Sequence, residues 1–248
     1  FGHIFRKDLK LFKIADFEKH LERLAKHAER LRITLPENFD QLIAQAIIDM
    51  DEKYNGNRLL NITFDCFEGV FLTKSRDLPK LRNCNLDSAT IPMKKWLGQV
   101  TGTKHGDWQF YLDAKDLAEQ NGVDIALLID DFCIIDGDRA AIVVIDEDGV
   151  AYSSENKQSV QGITLAVLAD GFAEMGIPHN KAKLNERLVA RSSEVIALGT
   201  GIGCCKILTI DGEEIGQDSS TISSMLQAYL AQHYSNTDNW TDLCEYSK

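Results

Sequence analysis

A lysine and a carboxylate frame one helix–strand unit of this chain, and their residue types suggest covalent chemistry. Lys104 stands ahead of the unit, and the acidic segment DGDR at 136–139 stands at its far end. A lysine amine forms a Schiff base with carbonyl compounds. A carboxylate such as that of Asp136 holds a protonated ring nitrogen. The pair therefore predicts amine chemistry on a carbonyl cofactor.

Other lysines compete for this role. Lys94, Lys95 and Lys115 lie near Lys104 in the sequence, and most lysines in proteins are solvated surface cations. Lys104 is distinguished by its position ahead of the helix–strand unit, not by the composition around it.

The segments around Lys104 must position these groups. Apolar residues at partial helical spacing predict a helix over 110–120. A short apolar run predicts a strand over 125–129, and a second run leads to Asp136. Gly162-Ile163-Thr164 begins another predicted helix, which reaches Met175.

The remainder of the chain also contains helical and irregular segments. Apolar spacing predicts helices over 16–32, 38–54 and 220–234. Asp16 is a suitable N-cap for the first helix. Residues 74–90 are polar and predict an irregular segment, and the polar tail from Ser235 is expected to be loose.

A glycine-rich segment, GTGIG at 199–203, resembles a dinucleotide-binding loop only superficially. It reads GxGxG and not GxGxxG, and the following residues CCKILTID predict a strand and not a helix. The sequence therefore argues against a Rossmann site.

Composition and charge argue against several classes of binding partner. The 248 residues carry 27 basic and 38 acidic side chains, so the net charge is 27 − 38 = −11. This charge argues against a nucleic-acid partner. The sequence contains no CxxC pair of the kind that binds zinc. No apolar run is long enough to cross a membrane, and the start FGHIFRKD does not resemble a signal peptide. We expect a cytoplasmic protein that acts on a small molecule, without membrane or metal.

Together these segments resemble the class IV aminotransferases, the fold-type IV pyridoxal phosphate enzymes. Lys104-His105, the helix after it and the pattern GVDIALLID at 122–130 carry the resemblance. HLERL at 20–24 resembles the HxxRL motif of that family. The Lys-His pair and its spacing to Asp130 are most similar to the aminodeoxychorismate lyase branch. The resemblance covers nearly the whole chain.

The resemblance implies a site for pyridoxal 5'-phosphate. Lys104 would hold the cofactor and, once a substrate amine displaces it, would transfer a proton. Asp136 would pair with the ring nitrogen. An arginine fork and a helix N-terminus suit phosphate oxygens. The implied phosphate ligands are Arg23, Ile163, Thr164 and Thr200.

Four positions depart from the family pattern. Asp136 stands where the family has glutamate, and Leu165 replaces an arginine after the GIT segment. Ala141 replaces an asparagine. Gln109 occupies the position of a tyrosine that contacts the cofactor ring oxygen, with Tyr111 two residues on. These departures point away from an ordinary branched-chain aminotransferase.

The resemblance also implies a fold and an assembly. We expect a mixed α/β (α+β) fold of two domains with the cofactor between them. Residues 1–95 would form a small N-terminal α/β domain, and residues 96–248 a larger C-terminal β-barrel-like domain with helices. Members of the family pack as homodimers, so a homodimer is expected.

Three functions follow from the resemblance. The first is a 4-amino-4-deoxychorismate lyase that releases pyruvate and 4-aminobenzoate for folate biosynthesis. The second is a branched-chain or D-amino-acid aminotransferase. The third is a degenerate member that binds ligand without turnover, which the departures at Asp136, Ala141 and Leu165 motivate.

Overall fold

The computed structural model describes residues 2–7, 11–50, 56–78, 85–217 and 219–246. The strands are β1 (Gly2–Lys7), β2 (Leu11–Ala15), β3 (Gly56–Asp65), β4 (Val70–Asp77), β5 (Asn85–Pro92), β6 (Ile125–Asp130), β7 (Cys133–Gly137), β8 (Ala141–Ile145), β9 (Ala151–Ser154), β10 (His179–Ala182), β11 (Leu184–Asn185), β12 (Glu194–Gly199), β13 (Gly203–Ile210), β14 (Glu213–Glu214) and β15 (Trp240–Asp242). The helices are α1 (Phe17–Leu31), α2 (Phe39–Ile48), α3 (Gln109–Gln120), α4 (Ile163–Glu174), α5 (Glu186–Ala190), α6 (Ile222–Ser235) and α7 (Leu243–Tyr246).

The chain divides into two compact units. The first comprises Phe1–Lys80 together with Gln232–Lys248, and the second comprises Leu81–Ala231. This division differs from the expected boundary between residues 95 and 96. Strand β5 pairs with β13 and β6 and so belongs to the second unit. Strand β15 pairs with β2, which attaches the C-terminal segment to the first unit.

The first unit is a five-stranded antiparallel sheet with helices packed against it. The strand order is β15-β2-β1-β3-β4. The predicted helix over 16–32 is confirmed as α1, although the Asp16 side chain does not cap it and instead pairs with His233 at 3.0 Å. Sheet, α1, α2 and α7 share one apolar core. Its buried members are Ile4, Phe12, Ile14, Phe17, Leu21, Ile43, Ala44, Ile47, Met50, Leu60 and Leu243.

Residues 237–246 form a 3-10 turn, β15 and α7, so the prediction of a loose tail from Ser235 is wrong for these residues. Trp240 begins β15, and its indole N–H donates to the Tyr234 carbonyl at 2.9 Å. Leu243 is completely buried in the core of the first unit. One apolar anchor and a short strand therefore hold a segment whose composition is mostly polar.

The second unit is a ten-stranded sheet that curls towards a barrel. Its order is β10-β9-β8-β12-β13-β5-β6-β7-β11, with β14 on β13. Strand β7, near one end, contacts β8 and β9, near the other. Inward side chains form an apolar core, because alternate residues of a strand face opposite sides. That core contains Leu86, Ile125, Leu127, Ile134, Ala140, Ile142, Val144, Leu184, Val189, Val195, Ala197, Ile202, Cys205 and Ile207.

Helix α3 packs on the outer face of this sheet. Ala114 and Ala118 of α3 share a buried cluster with Ala126 and Leu128, the outward residues of β6. The predicted helix after Lys104 and the strand that follows it are therefore confirmed as α3 and β6. None of the helices in the ranges given above is long and apolar enough to cross a membrane.

Candidate active site

Lys104 follows a tightly fixed turn in the second unit. Thr103, which is buried, donates from both its backbone N–H and its hydroxyl to the Val100 carbonyl. At Gly102 the backbone has a φ of +65°, and a Cβ there would lie 2.2 Å from the Lys157 carbonyl oxygen. Only glycine allows this approach. The turn before Lys104 is therefore seated against the segment that leads to α4.

Asp136 lies in β7 and is 5% exposed. Its carboxylate accepts hydrogen bonds from the Gly137 amide at 3.1 Å and the Val160 amide at 3.0 Å. Burial raises the pKa of Asp136 to about 7. The Val160 amide and the positive charge of Lys104 oppose this rise. Lys104 therefore lies within electrostatic reach of a buried carboxyl.

The N-terminus of α4 offers hydrogen-bond donors. Gly162 is its N-cap, and no side chain caps the helix. Helices leave their first N–H groups without partners in the helix, so those of Ile163 and Thr164 are available to an anion. The Thr164 side chain is also buried, and its Oγ1 has no hydrogen-bond partner within the described ranges. A buried hydroxyl of this kind suits a polar ligand, because leaving it unsatisfied is costly.

Thr200 lies in the turn between β12 and β13 and is half-buried. The Ile202 amide closes this turn by donating to the Gly199 carbonyl at 3.0 Å. A Cβ on Gly199 would lie 2.9 Å from the Arg139 carbonyl oxygen, so the turn touches the chain just after Asp136. The first glycine of GTGIG thus lets the backbone of this turn lie close to the backbone at Arg139. The strand predicted for CCKILTID is confirmed as β13.

An aromatic cluster lies beside Lys104, and the sequence patterns did not predict it. The Lys104 amine lies 4.6 Å from the centre of the Trp108 ring. His105 packs between Trp96 and Trp108, with centroid distances of 4.4 and 6.3 Å. Tyr111 lies 5.4 Å from Trp108. The available signal was that two of the three tryptophans of the chain flank Lys104.

The positions that depart from the family pattern have specific surroundings. Gln109 is exposed on α3 and donates to Asp113, four residues on, at 2.7 Å. Tyr111 is buried instead, and its pKa is raised to about 12 by burial and by the nearby charge of Asp136. A Cβ added to Gly162, at the start of α4, would lie 3.9 Å from the Ala141 Cβ. Tyr111, and not Gln109, therefore lies near the Asp136 carboxylate.

Arg23 belongs to the first unit, and its role as a phosphate ligand stays a prediction. It lies on α1 with a guanidinium nitrogen 3.5 Å from the His20 ring. Burial lowers the pKa of Arg23 to about 10. Arg23 is half-buried, whereas Lys26 on the same helix is mostly exposed.

The residues of the second unit fit pyridoxal 5'-phosphate. Lys104 offers an amine near a buried carboxyl that would gain from a cationic partner. The Asp136 carboxylate also binds the Val160 amide, and Val160 shortly precedes the α4 start with its buried Thr164 hydroxyl. The Lys104 amine, the Asp136 carboxyl and the segment that leads into α4 therefore belong to one unit and are connected through Asp136.

Comparison with known proteins gives one family and one fold. The family model described as amino-transferase class IV matches residues 9–210. The branched-chain aminotransferase of Thermoproteus uzoniensis, solved with norvaline, is 15% identical with a TM-score of 0.77, covering 98% of this chain and 88% of that chain. No curated protein matches the chain.

Two further solved structures share the fold. A T.th. branched-chain amino acid aminotransferase, solved with pyridoxamine 5'-phosphate, is 17% identical with a TM-score of 0.78, covering 98% of this chain and 87% of that chain. A fold IV transaminase from Curtobacterium pusillum is 19% identical with a TM-score of 0.72, covering 91% and 84%. At these identities the likeness concerns the fold, and the expected mixed α/β class is confirmed.

Proposed function

Since the chain belongs to the amino-transferase class IV family, we propose that it is a pyridoxal 5'-phosphate enzyme that transfers amino groups between small amino and keto acids. The convergence of Lys104, Asp136 and the Thr164 hydroxyl within one unit carries this proposal. An amine, a buried carboxylate and a helix N-terminus are the groups that this cofactor requires. The solved structures that share the fold are aminotransferases, which favours amino transfer over the lyase reaction.

The reacting end of the site uses Lys104 and Asp136. When bound, the cofactor supplies an electron sink for the carbon that bears the substrate amine. Asp136 would hold the ring nitrogen in its protonated form, and the positive ring would offset the cost of burying the carboxylate. Lys104 would carry the cofactor and then move the proton at the reacting carbon.

The phosphate end uses backbone and hydroxyl donors. Ile163 and Thr164 lie in the first turn of α4, where the helix dipole favours an anion. Thr164 would add its buried hydroxyl, and Thr200 would contribute from the β12–β13 turn. We also propose Arg23 as a phosphate ligand on the basis of its family resemblance, because a guanidinium binds phosphate oxygens in a bidentate manner.

Tyr111 is proposed in place of the family tyrosine that contacts the ring oxygen. It lies near the Asp136 carboxylate, whose charge helps to raise its pKa. A raised pKa keeps the phenol protonated near neutral pH, so Tyr111 would donate a hydrogen bond. Gln109 is excluded from this role because it binds Asp113 on the exposed face of α3.

The proposed substrates are branched-chain or D-amino acids. The relatives that share the fold include branched-chain aminotransferases. Leu165 is half-buried where the family has an arginine, so the substrate carboxylate would be bound by other residues. A homodimer is proposed with this function, as in the family.

A second candidate is aminodeoxychorismate lyase. The Lys104-His105 pair favours it, because that branch of the family reads Lys-His at the same point. His105 is held between two tryptophan rings. In this reaction Lys104 would transfer a proton while pyruvate leaves and the substrate ring becomes aromatic.

One experiment separates these candidates. The purified, cofactor-saturated protein is offered aminodeoxychorismate, and separately a panel of L- and D-amino acids with a keto acid acceptor. New amino acid formed from the acceptor supports amino transfer. Pyruvate released without an acceptor supports the lyase. Lys104→Ala is the matched control and should abolish either signal.

Two results would contradict the proposed function. Cofactor binding without either reaction would leave a ligand-binding member of the family. An equal rate in Lys104→Ala and in the parent would show that the chemistry does not use this lysine.

A further inference from the structure

The Lys104 amine lies against an aromatic face as well as near a carboxylate. Its Nζ is 4.6 Å from the centre of the Trp108 ring. A cation within about 6 Å of a tryptophan ring centroid is attracted by the ring quadrupole, and tryptophan is the strongest partner among the aromatic residues. The attraction acts only on the protonated amine, because a neutral amine carries no charge.

Two aromatic side chains contact the Trp108 ring. His105 stacks on it with an interplanar angle of 9°, and Tyr111 contacts it at 5.4 Å. The Trp108 carbonyl accepts the Leu112 amide at 3.0 Å and so starts helix α3. The side chain is half-buried. A ring fixed by helix and neighbours gives the lysine amine a defined position.

We propose that Trp108 is a positioning residue for Lys104, whose indole face holds the amine in its protonated form and so sets the pH at which it reacts with a carbonyl group. This inference rests on the proposed function of Lys104. The same ring would keep the amine in place for proton transfer whenever a substrate has displaced it from the cofactor.

Other charged groups also belong to this cluster. Asp136 in β7 favours the protonated Lys104 amine by its negative charge when ionised, and Lys94 acts electrostatically on the adjacent His105. Lys94 is itself paired with Asp107 at 3.5 Å. Burial lowers the pKa of His105. Asp136 is held by the Gly137 and Val160 amides and Lys94 by Asp107, contacts that do not involve the Trp108 ring, so the contribution of the ring is measurable.

The test measures how adduct formation on Lys104 depends on pH. Full-length protein freed of bound cofactor is mixed with pyridoxal 5'-phosphate from neutral to alkaline pH and then reduced with borohydride. The neutral amine adds to the aldehyde carbon, one water molecule leaves, and hydride from borohydride fixes the carbon–nitrogen bond. Proteolysis and mass spectrometry then quantify the adduct at Lys104 in the parent, Trp108→Leu, Trp108→Phe and Trp96→Leu.

Removing the ring should lower the pH midpoint of adduct formation. We expect a decrease of about half a unit to one unit for Trp108→Leu, from the usual strength of such contacts. Trp108→Phe should lie between this variant and the parent, because phenylalanine has a weaker ring quadrupole. Trp96→Leu is the matched control: its ring lies 4.0 Å from the Lys94 amine, so the Lys104 midpoint should not move.

Each outcome decides between defined alternatives. An adduct on Lys104 with the same midpoint in parent, Trp108→Leu and Trp108→Phe would overturn the role of Trp108 and leave the role of Lys104 intact. An equal shift in Trp96→Leu would overturn it too, as a general effect of losing an indole. No adduct on Lys104 in the parent would count against the proposed function itself. If Trp108→Leu does not fold, Trp108→Phe decides.

Discussion

Replacing Thr164 by valine should have opposite effects on stability and on cofactor binding. The side chain is 2% exposed, and within the described part of the chain its Oγ1 has no hydrogen-bond partner. A buried polar atom without a partner costs about 1–3 kcal/mol. Valine has the same shape without the hydroxyl. The free energy of unfolding of the cofactor-free protein should therefore rise by about 1 kcal/mol.

The same change should weaken cofactor binding. A hydrogen bond to a charged group contributes about 1.5–3 kcal/mol, which corresponds to about a 10- to 100-fold loss of affinity for pyridoxal 5'-phosphate. Urea unfolding reports stability, and an increase of about 1 kcal/mol shifts the midpoint by roughly 0.3 to 1 M. Titration of cofactor-free protein with pyridoxal 5'-phosphate reports affinity.

Thr103→Val is the matched control. Thr103 is as buried as Thr164, at 2% exposure, but its hydroxyl donates to the Val100 carbonyl at 2.8 Å. Valine there removes a satisfied hydrogen bond and should destabilise the cofactor-free protein by about 1 kcal/mol. The reasoning fails if Thr164→Val destabilises the protein as Thr103→Val does, or if its cofactor affinity equals that of the parent.

Three further predictions follow from the same site. Lys104→Ala should lose the borohydride-stable adduct and reduce turnover by about 100-fold or more, as peptide mapping and an activity assay would show; an adduct on another lysine would refute the assignment. Gly102→Ala should destabilise the protein by about 1–3 kcal/mol in urea unfolding, and clearly more than Gly98→Ala, which has the same φ of +65° but no atom within 4 Å of the added Cβ. Asp136 has its pKa raised from 3.8 to about 7, so its protonated form stabilises the cofactor-free protein at low pH and this stability is lost as pH rises through about 7; Asp136→Asn should flatten that part of the stability–pH curve, and an unchanged slope would contradict the shift.

Local helical patterns could be predicted from the sequence because they depend on near neighbours. Helix α1 has its apolar residues at helical spacing, and the structure places Phe17, Leu21 and Ala28 in the core. Helix α3 similarly begins within one residue of its predicted start. The order of Lys104, α3, β6 and Asp136 was readable for the same reason.

Strand β5 could not be predicted because one of its inward residues is polar. Leu86 and Ser88 are both buried, and Ser88 donates to the Thr209 carbonyl at 2.7 Å. A buried serine whose hydroxyl is satisfied by a residue 121 positions away breaks the apolar alternation that signals a strand. The expected boundary at 95/96 assigns this segment to the first domain, whereas the structure pairs β5 with β13 and β6 of the second unit.

The contacts that shape the site were also out of reach of the sequence. Gly102 meets the carbonyl of Lys157, and Asp136 accepts from Val160; both partners lie far along the chain. Trp108 is close to Lys104 in sequence, but that its ring faces the amine and packs against His105 and Tyr111 is seen only in the structure. Residue types can suggest the chemistry, whereas tertiary packing determines which side chains meet.

Three features of the second unit are each unfavourable for the stability of the fold. Thr164 has a buried hydroxyl without a partner in the described ranges, Asp136 is a carboxyl whose burial raises its pKa to about 7, and Gly102 has a backbone conformation that disfavours other residues. Stable folds avoid such features where nothing requires them. One ligand with a cationic ring and a phosphate would offset the first two costs together, since the ring pairs with the carboxylate and the phosphate accepts the hydroxyl. The occurrence of these three features in one unit is therefore a stronger argument for a cofactor site than any of the residues taken alone.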